Sequence, residues 1–201
     1  MESLHALVVG PGLGRCPLVL RATSRIIQIA MDQNLPLVID ADALFLLTLP
    51  AYQDLLKASS SSGASSVIVL TPNAMELQRL AGKGGNWDKN RVIVVQKGKD
   101  DIISYHVAGE KKEIKCSEAG GLKRSGGIGD LLAGTLGTFL AWNNIMSESG
   151  KSSRDDVPLA CWMACCLIKQ STRESFEQYH RAMMAPDILR VIGPTFQKMI
   201  M

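Results

Sequence analysis

Apolar positions along the chain fall in short continuous runs, separated by stretches whose apolar residues recur at helical spacing. The first run, 5–11 (HALVVGP), closes on Gly and Pro and predicts a strand buried on both faces. Val19, Ala22, Ile26, Ile29 and Ala30 then predict a helix over 17–33. Residues 35–42 (LPLVIDAD) predict a second buried strand. Two short helices are predicted over 43–49 and 52–59, broken at Pro50. A Ser/Gly-rich connection, 60–66, leads to a third strand over 67–71. Pro72 stands where helices open, and 73–80 predicts the helix, which ends at Gly82. Residues 91–96 (RVIVVQ) predict a fourth strand.

The pattern then changes. Residues 101–107 and 111–117 are strand-like and joined by Ala-Gly-Glu, which predicts a hairpin. A Gly-rich loop, 120–129, opens a long apolar helix over 130–146. A polar loop over 147–156 and two further helices, 157–180 and 186–200, complete the chain. Strand–helix alternation with apolar strands predicts an α/β fold, its mostly parallel sheet covered on both faces and extended by an antiparallel edge hairpin.

Composition narrows the function classes. The 201 residues are 46% hydrophobic, enough for one domain with its own core, which excludes global disorder. The net charge is +3, the basic residues are scattered and aromatics are 5%, so no nucleic-acid partner is expected. The longest apolar runs, 131–142 and 157–168, are too short to span a bilayer, so no membrane association is expected. Five cysteines, with Cys165 and Cys166 adjacent, read as reduced thiols and not as a disulfide framework. Cys16, Cys116, Cys161, Cys165 and Cys166 are expected as small core residues. No basic-then-apolar leader opens the chain. A cytoplasmic protein is expected, or a mitochondrial or plastid one where a transit peptide is missing. Three histidines and no Cys-x-x-Cys pair give no zinc site, and no metal ligands are assigned.

Ligands of open α/β sheets sit beyond the carboxyl ends of the strands. Four consecutive strand ends carry chemistry: Gly10-Pro11-Gly12-Leu13-Gly14, Asp40-Ala41-Asp42, Thr71-Pro72-Asn73-Ala74-Met75-Glu76 and Lys97-Gly98. Ser125-Gly126-Gly127-Ile128-Gly129-Asp130 opens the long helix. Its glycines let the backbone approach a ligand, and the first helix amides, backed by the positive dipole end, form an anion cradle. Asp130 is a candidate base for a hydroxyl nucleophile. A plain Gly-rich turn with an N-cap Asp is the bland alternative. Lys97 and the Gly98 amide could meet phosphate oxygens, although a surface lysine in a turn fits equally well. Asp40 and Asp42, two apart on a strand end, are expected to face the same way. They would help hold Mg²⁺, orient a ribose or bond loop amides. The Gly10–Gly14 pattern matches a dinucleotide fingerprint poorly, because Arg15 stands where Gly or Ala is required. Gly150-Lys151-Ser152 ends like a P-loop, but Ile145 takes the place of its first glycine, so it reads as linker.

Taken in order, VVGPGLGR (8–15), VIDADAL (38–44), TPNAMELQRL (71–80), VVQKGKDD (94–101), GGIGDLLAGTLG (126–137) and RAMMAPDIL (181–189) resemble the ATP-dependent NAD(P)H-hydrate dehydratases. The resemblance runs through nearly the whole chain. It implies a single ribokinase-like three-layer α/β/α domain over 1–201. It implies repair of the hydrated nicotinamide cofactors NADHX and NADPHX with ATP and Mg²⁺, and Asn73 in TPN points to the ATP-using branch. Gly12, Asn73, Ala74, Met75, Glu76, Leu77, Gln78, Arg79 and Asp130 would contact the hydrate. Lys97, Gly98, Lys99, Asp100, Asp101, Gly120, Gly121, Leu122, Lys123, Arg124, Ser125, Gly126, Gly127, Ile128 and Gly129 would hold ATP. Asp130 would be the catalytic acid/base. A homo-oligomer stays open.

Two departures from the family pattern add expectations. Only Met1–Leu4 precede the first strand, where the family has a further Gly-rich segment and strand–helix unit, so an N-terminally shortened domain is expected. Between Leu80 and Val92 the family has a helix, where this chain has AGKGGNWDKNR, so one sheet face is expected to lie uncovered. Two other functions stay open: a ribokinase-like small-molecule alcohol kinase, and a truncated, non-catalytic nucleotide-binding form.

Overall fold

The four apolar runs become four parallel strands lying side by side in chain order. The computed structural model describes residues 4–57, 66–82 and 87–201. β1 (Leu7–Val9) pairs with β2 (Leu37–Ile39), β2 with β3 (Ile68–Leu70), and β3 with β4 (Val92–Gln96). β5 (Asp101–Val107) turns back antiparallel to β4, and β6 (Glu110–Cys116) antiparallel to β5. The hairpin turns at Ala108 and Gly109, both with positive φ, as the tight twist-matched hairpin requires.

The period-2 alternation of the strands divides the core. Leu37, Ile39, Ile68, Leu70 and Val92 join one buried cluster, and Val38, Val69, Ile93, Val95 and Ile103 join the other. α1 (Pro17–Asp32), α2 (Ala41–Leu46) and α3 (Ala74–Gly82) supply the first cluster with Ile27, Leu44 and Leu80. α4 (Ile128–Glu148) and α5 (Val157–Tyr179) supply the second with Leu136, Leu140, Cys161 and Cys165. α6 (Ala185–Ile200) packs outside them, its Phe196 centroid 5.7 Å from those of Phe139 and Trp142. The result is a three-layer α/β/α architecture. Gly137 sets how closely α4 lies on the sheet: a Cβ there would stand 2.4 Å from Val8 Cγ2. No described helix is long and apolar enough to cross a membrane.

Three expectations change. Residues 51–57 form turns closed by i→i−3 bonds, from Tyr52 to Leu49, Leu55 to Tyr52 and Lys57 to Asp54, and not the second short helix. So short a stretch gains too few helical bonds to offset nucleation. The sheet face expected to be uncovered is closed. α3 runs to Gly82 with Leu80 buried, Trp87 packs back on the same cluster, and Val92 is 3% exposed. Cys16 is exposed at the head of α1, while the other four cysteines are core residues as expected. The Ser/Gly-rich connection lies outside the described residues except for Ser66.

Candidate active site

Beyond the carboxyl end of β1 the chain passes through Gly10, Gly12 and Gly14 at φ 130°, 67° and 77°. Gly10 is dictated by contact: a Cβ would fall 1.7 Å from the Asp40 carbonyl oxygen. Asp42 holds the far side of this loop. Its carboxylate accepts the Gly14 amide and Arg15 Nε, each at 2.9 Å, and the Arg15 guanidinium lies 4.3 Å over the Phe45 ring. Asp40 does something different. It is buried, and accepts a 2.8 Å bond from Lys97 Nζ at the end of β4. The two carboxylates therefore do not face the same way. Ala41, at φ 47°, turns the chain directly into α2, so strand alternation ends at Ile39 and Asp42 falls in the first helical turn.

At the end of β3, Asn73 and Glu76 cap α3 reciprocally. The Asn73 amide donates to Glu76 Oε2 at 2.8 Å, and the Glu76 amide to Asn73 Oδ1 at 3.0 Å. Both side chains expected against the hydrate thus have a local task in opening the helix. Pro72 O accepts the Lys97 amide at 2.8 Å, which brings Asn73 beside Lys97.

A cleft of about 710 Å³ opens past Lys97. Lys97, Gly98, Lys99, Asp100 and Asp101 form one side, and residues 117–125 with Ile128 and Gly129 form another. Of the residues expected to hold nucleotide, Gly126 and Gly127 lie outside this lining. Of those expected to hold the hydrate, Asn73 alone joins it, whereas Gly12, Ala74, Met75, Glu76, Leu77, Gln78, Arg79 and Asp130 do not. The Gly98 amide is not free for phosphate, because it donates to Asp101 Oδ1 at 2.9 Å. Burial pushes the Asp101 carboxyl up, and the Gly98 amide and Lys169 ammonium pull it back.

α5 braces both sides of the cleft through residues that the sequence reading missed. Lys169 Nζ donates to Lys99 O at 2.7 Å and to Gly98 O at 3.3 Å. Thr172 Oγ1 accepts the Gly121 amide at 3.0 Å and donates to Lys169 O at 2.7 Å. Arg173 Nη1 donates to Glu118 Oε1 at 2.6 Å and to Ala119 O at 3.1 Å, and it holds the Glu118 carboxyl below its ordinary range. The signal was available: Lys169, Thr172 and Arg173 interrupt an apolar helix at the spacing of one face.

The long helix opens above these elements. Gly127, at φ 88°, is its N-cap and offers no side chain to cap it. The first amides of α4 therefore point outward without internal partners. A Cβ at Gly127 would stand 2.9 Å from Ala185 Cβ, so the start of α6 closes behind the turn. A Cβ at Gly129 would lie 3.6 Å from Lys97 Nζ and 3.8 Å from Asp40 Oδ2. Asp130, in the first turn, is exposed. The α4 amide cradle and the Lys97 ammonium thus meet at one end of the cleft, and exposed Asp130 follows Gly129 directly in the chain.

A family model described as NAD(P)H-hydrate dehydratase matches residues 1–194. Curated relatives described as ATP-dependent (S)-NAD(P)H-hydrate dehydratase include a Homo sapiens protein, 34% identical over 99% of this chain and 58% of its own length. Others are from Aedes aegypti, 36% identical over 98% of this chain and 57% of its own, and Saccharomyces cerevisiae, 33% over 99% and 67%. The chain spans about three fifths of the length of the curated relatives it matches. Matched over nearly its full extent by both kinds of comparison, the chain belongs to the NAD(P)H-hydrate dehydratase family.

Proposed function

We propose that the protein dehydrates (S)-NADHX and (S)-NADPHX to NADH and NADPH at the cost of ATP. The observation that carries this reading is the meeting of the α4 amide cradle and Lys97 at the end of a cleft of about 710 Å³, with Asp130 next in the chain, in a chain of this family.

Hydroxide is a poor leaving group from the reduced pyridine ring. In the proposed reaction Asp130 takes the hydroxyl proton as that oxygen attacks the γ-phosphorus and the bond to the β-phosphate oxygen breaks. The amides of Gly129 and its neighbours, with Lys97, stabilise the charge on the transferring group. The ring nitrogen's lone pair then expels phosphate, and loss of the neighbouring ring proton restores the dihydropyridine. The products are NAD(P)H, ADP and inorganic phosphate.

Mg²⁺ would be carried on the triphosphate itself, with no protein ligand assigned to it. Among the described residues no three His, Cys, Asp or Glu side chains gather to cage a metal, and the carboxylates of the cleft lining, Asp100, Asp101 and Glu118, are engaged by Lys115, Lys169 and Arg173. On the triphosphate the ion would neutralise phosphate charge. Gly12, Asn73 and the α3 residues through Arg79 would meet the hydrate on the open side of the mouth.

The test supplies hydrated NADH, ATP and Mg²⁺ and follows dihydropyridine absorbance. Recovery is expected, and Asp130→Asn is expected to lower it by about 10²–10⁴-fold with ATP still bound. A stable phosphate ester without recovery would assign an alcohol kinase instead. Stabilisation by ATP with no turnover would assign a nucleotide-binding form.

A further inference from the structure

The pair of buried Asp40 and half-buried Lys97 is more than a tie between two strands. β2 and β4 flank β3, so Lys97 must reach across the mouth of β3 to meet Asp40, 57 residues away in the chain. The Asp40 side chain is 2% exposed and that of Lys97 is 22% exposed. A lysine is a point charge on a flexible stem. Free at a strand end, its ammonium would range over the cleft, whereas bound to a buried carboxylate it occupies one place.

The backbone that carries this carboxylate is itself held in place. The Asp40 amide donates to Val9 O at 3.0 Å, and its carbonyl accepts the Ala43 amide at 3.0 Å. That carbonyl lies against the Cβ-less face of Gly10. The next residue, Ala41, is held at φ 47°, a left-handed conformation that persists in a non-glycine residue when its surroundings over-determine it. Gly129, one residue before Asp130, roofs both members of the pair. The ammonium therefore stands at the edge of the cleft beside Gly129, the residue that leads into Asp130.

We infer that Asp40 is a positioning residue for phosphoryl transfer, fixing the Lys97 ammonium on the path of the phosphoryl group between nucleotide and hydrate hydroxyl. This rests on the activity proposed above. The cleft lining also holds Lys99 and Arg124, with Lys123 bound to Met183 O and Lys169 to Asp101, so ATP binding is expected to depend on this pair less than the transfer step does. The step most sensitive to its geometry is the transfer itself.

The test measures kcat and KM for ATP with hydrated NADH for wild type, Asp40→Asn, Lys97→Gln and the double variant, each checked by thermal melting. Asp40→Asn is expected to lower kcat on the order of 10–100-fold, the scale of a misplaced catalytic group, with KM changed far less. In the Lys97→Gln background it is expected to lower kcat no further. Losses that multiply in the double variant, an unchanged kcat, or a loss confined to KM would overturn the inference. Should Asp40→Asn not fold, Lys97→Gln alone decides, because a kcat equal to wild type refutes it. A wild-type protein that restores no absorbance would instead overturn the activity itself.

Discussion

The Lys169 ammonium on α5 meets the Asp101 carboxylate at the head of β5, 3.3 Å from Nζ to Oδ2, and the same ammonium binds the Gly98 and Lys99 carbonyls. One side chain thus holds the strap 97–101 against the helix. Lys169→Met leaves Asp101 buried without its cation and releases both carbonyls. A loss on the order of 3 kcal/mol in stability is expected, with nucleotide affinity weakened about tenfold by the loosened strap. Burial already raises the Asp101 pKa, and removing Lys169 raises it further. A protonated Asp101 needs no cation, so the stability deficit shrinks as pH falls through that raised value. Denaturant melts of both proteins across pH check this, and a pH-independent deficit would refute it.

Gly10 and Gly12 make a contrasting pair two residues apart. Both have positive φ, but a Cβ at Gly10 strikes the Asp40 carbonyl at 1.7 Å, while one at Gly12 meets nothing within 4 Å. Gly12→Ala carries only the left-handed strain, about 1–2 kcal/mol. Gly10→Ala must also push the end of β2 aside and is expected to unfold the protein or cost well above 3 kcal/mol. Equal melting temperatures for the two variants would contradict the contact.

The sheet was legible because parallel strands buried on both faces leave continuous apolar runs, and 5–11, 35–42, 67–71 and 91–96 each contain one. The hairpin was legible from two strand-like runs and a short glycine connection. The chemistry of the strand ends was legible only as residue types. Asp40 and Asp42 looked alike on the period of a strand, and the left-handed turn at Ala41 that separates them leaves no mark in an alanine. The Asp40–Lys97 pair depends on strand order, which apolar pattern does not encode. Lys169, Thr172 and Arg173 look like the solvated side of a helix until the loop 117–125 lies across them. The turns over 51–57 were misread because a short amphipathic segment satisfies a helical pattern without enough length to form the helix.

The thiols sort by burial. Cys16 is exposed, and Cys116, Cys161, Cys165 and Cys166 are buried, with the Cys116 and Cys166 sulfurs 3.4 Å apart. Burial pushes the Cys161 and Cys166 thiols up to about 12, and Cys165 is raised by burial and by nearby Asp101. The thiolate is the reactive form. Ellman's reagent is therefore expected to titrate one thiol per folded chain and all five after denaturation. Cys16→Ser removes the fast phase. Rapid labelling of a second thiol under native conditions would show that the core between β6 and α5 opens.

Acid should loosen the cleft from its other side. Glu118 carries residues 117–125 toward α5 through its bond to Arg173, and that bond, the largest influence on it, lowers its pKa from 4.5. A carboxyl whose folded pKa lies below its unfolded value contributes stability above the unfolded value and loses it as pH falls through the folded one. The contribution is therefore complete at neutral pH and fades below 4.5. The pair is partly exposed, so salt should weaken it as well. Arg173→Leu removes this acid dependence along with the Ala119 contact. ATP affinity measured by equilibrium dialysis is expected to fall with pH below that range more steeply in wild type than in Arg173→Leu. Parallel curves for the two proteins would mean that the Glu118 bond does not hold the nucleotide side of the cleft.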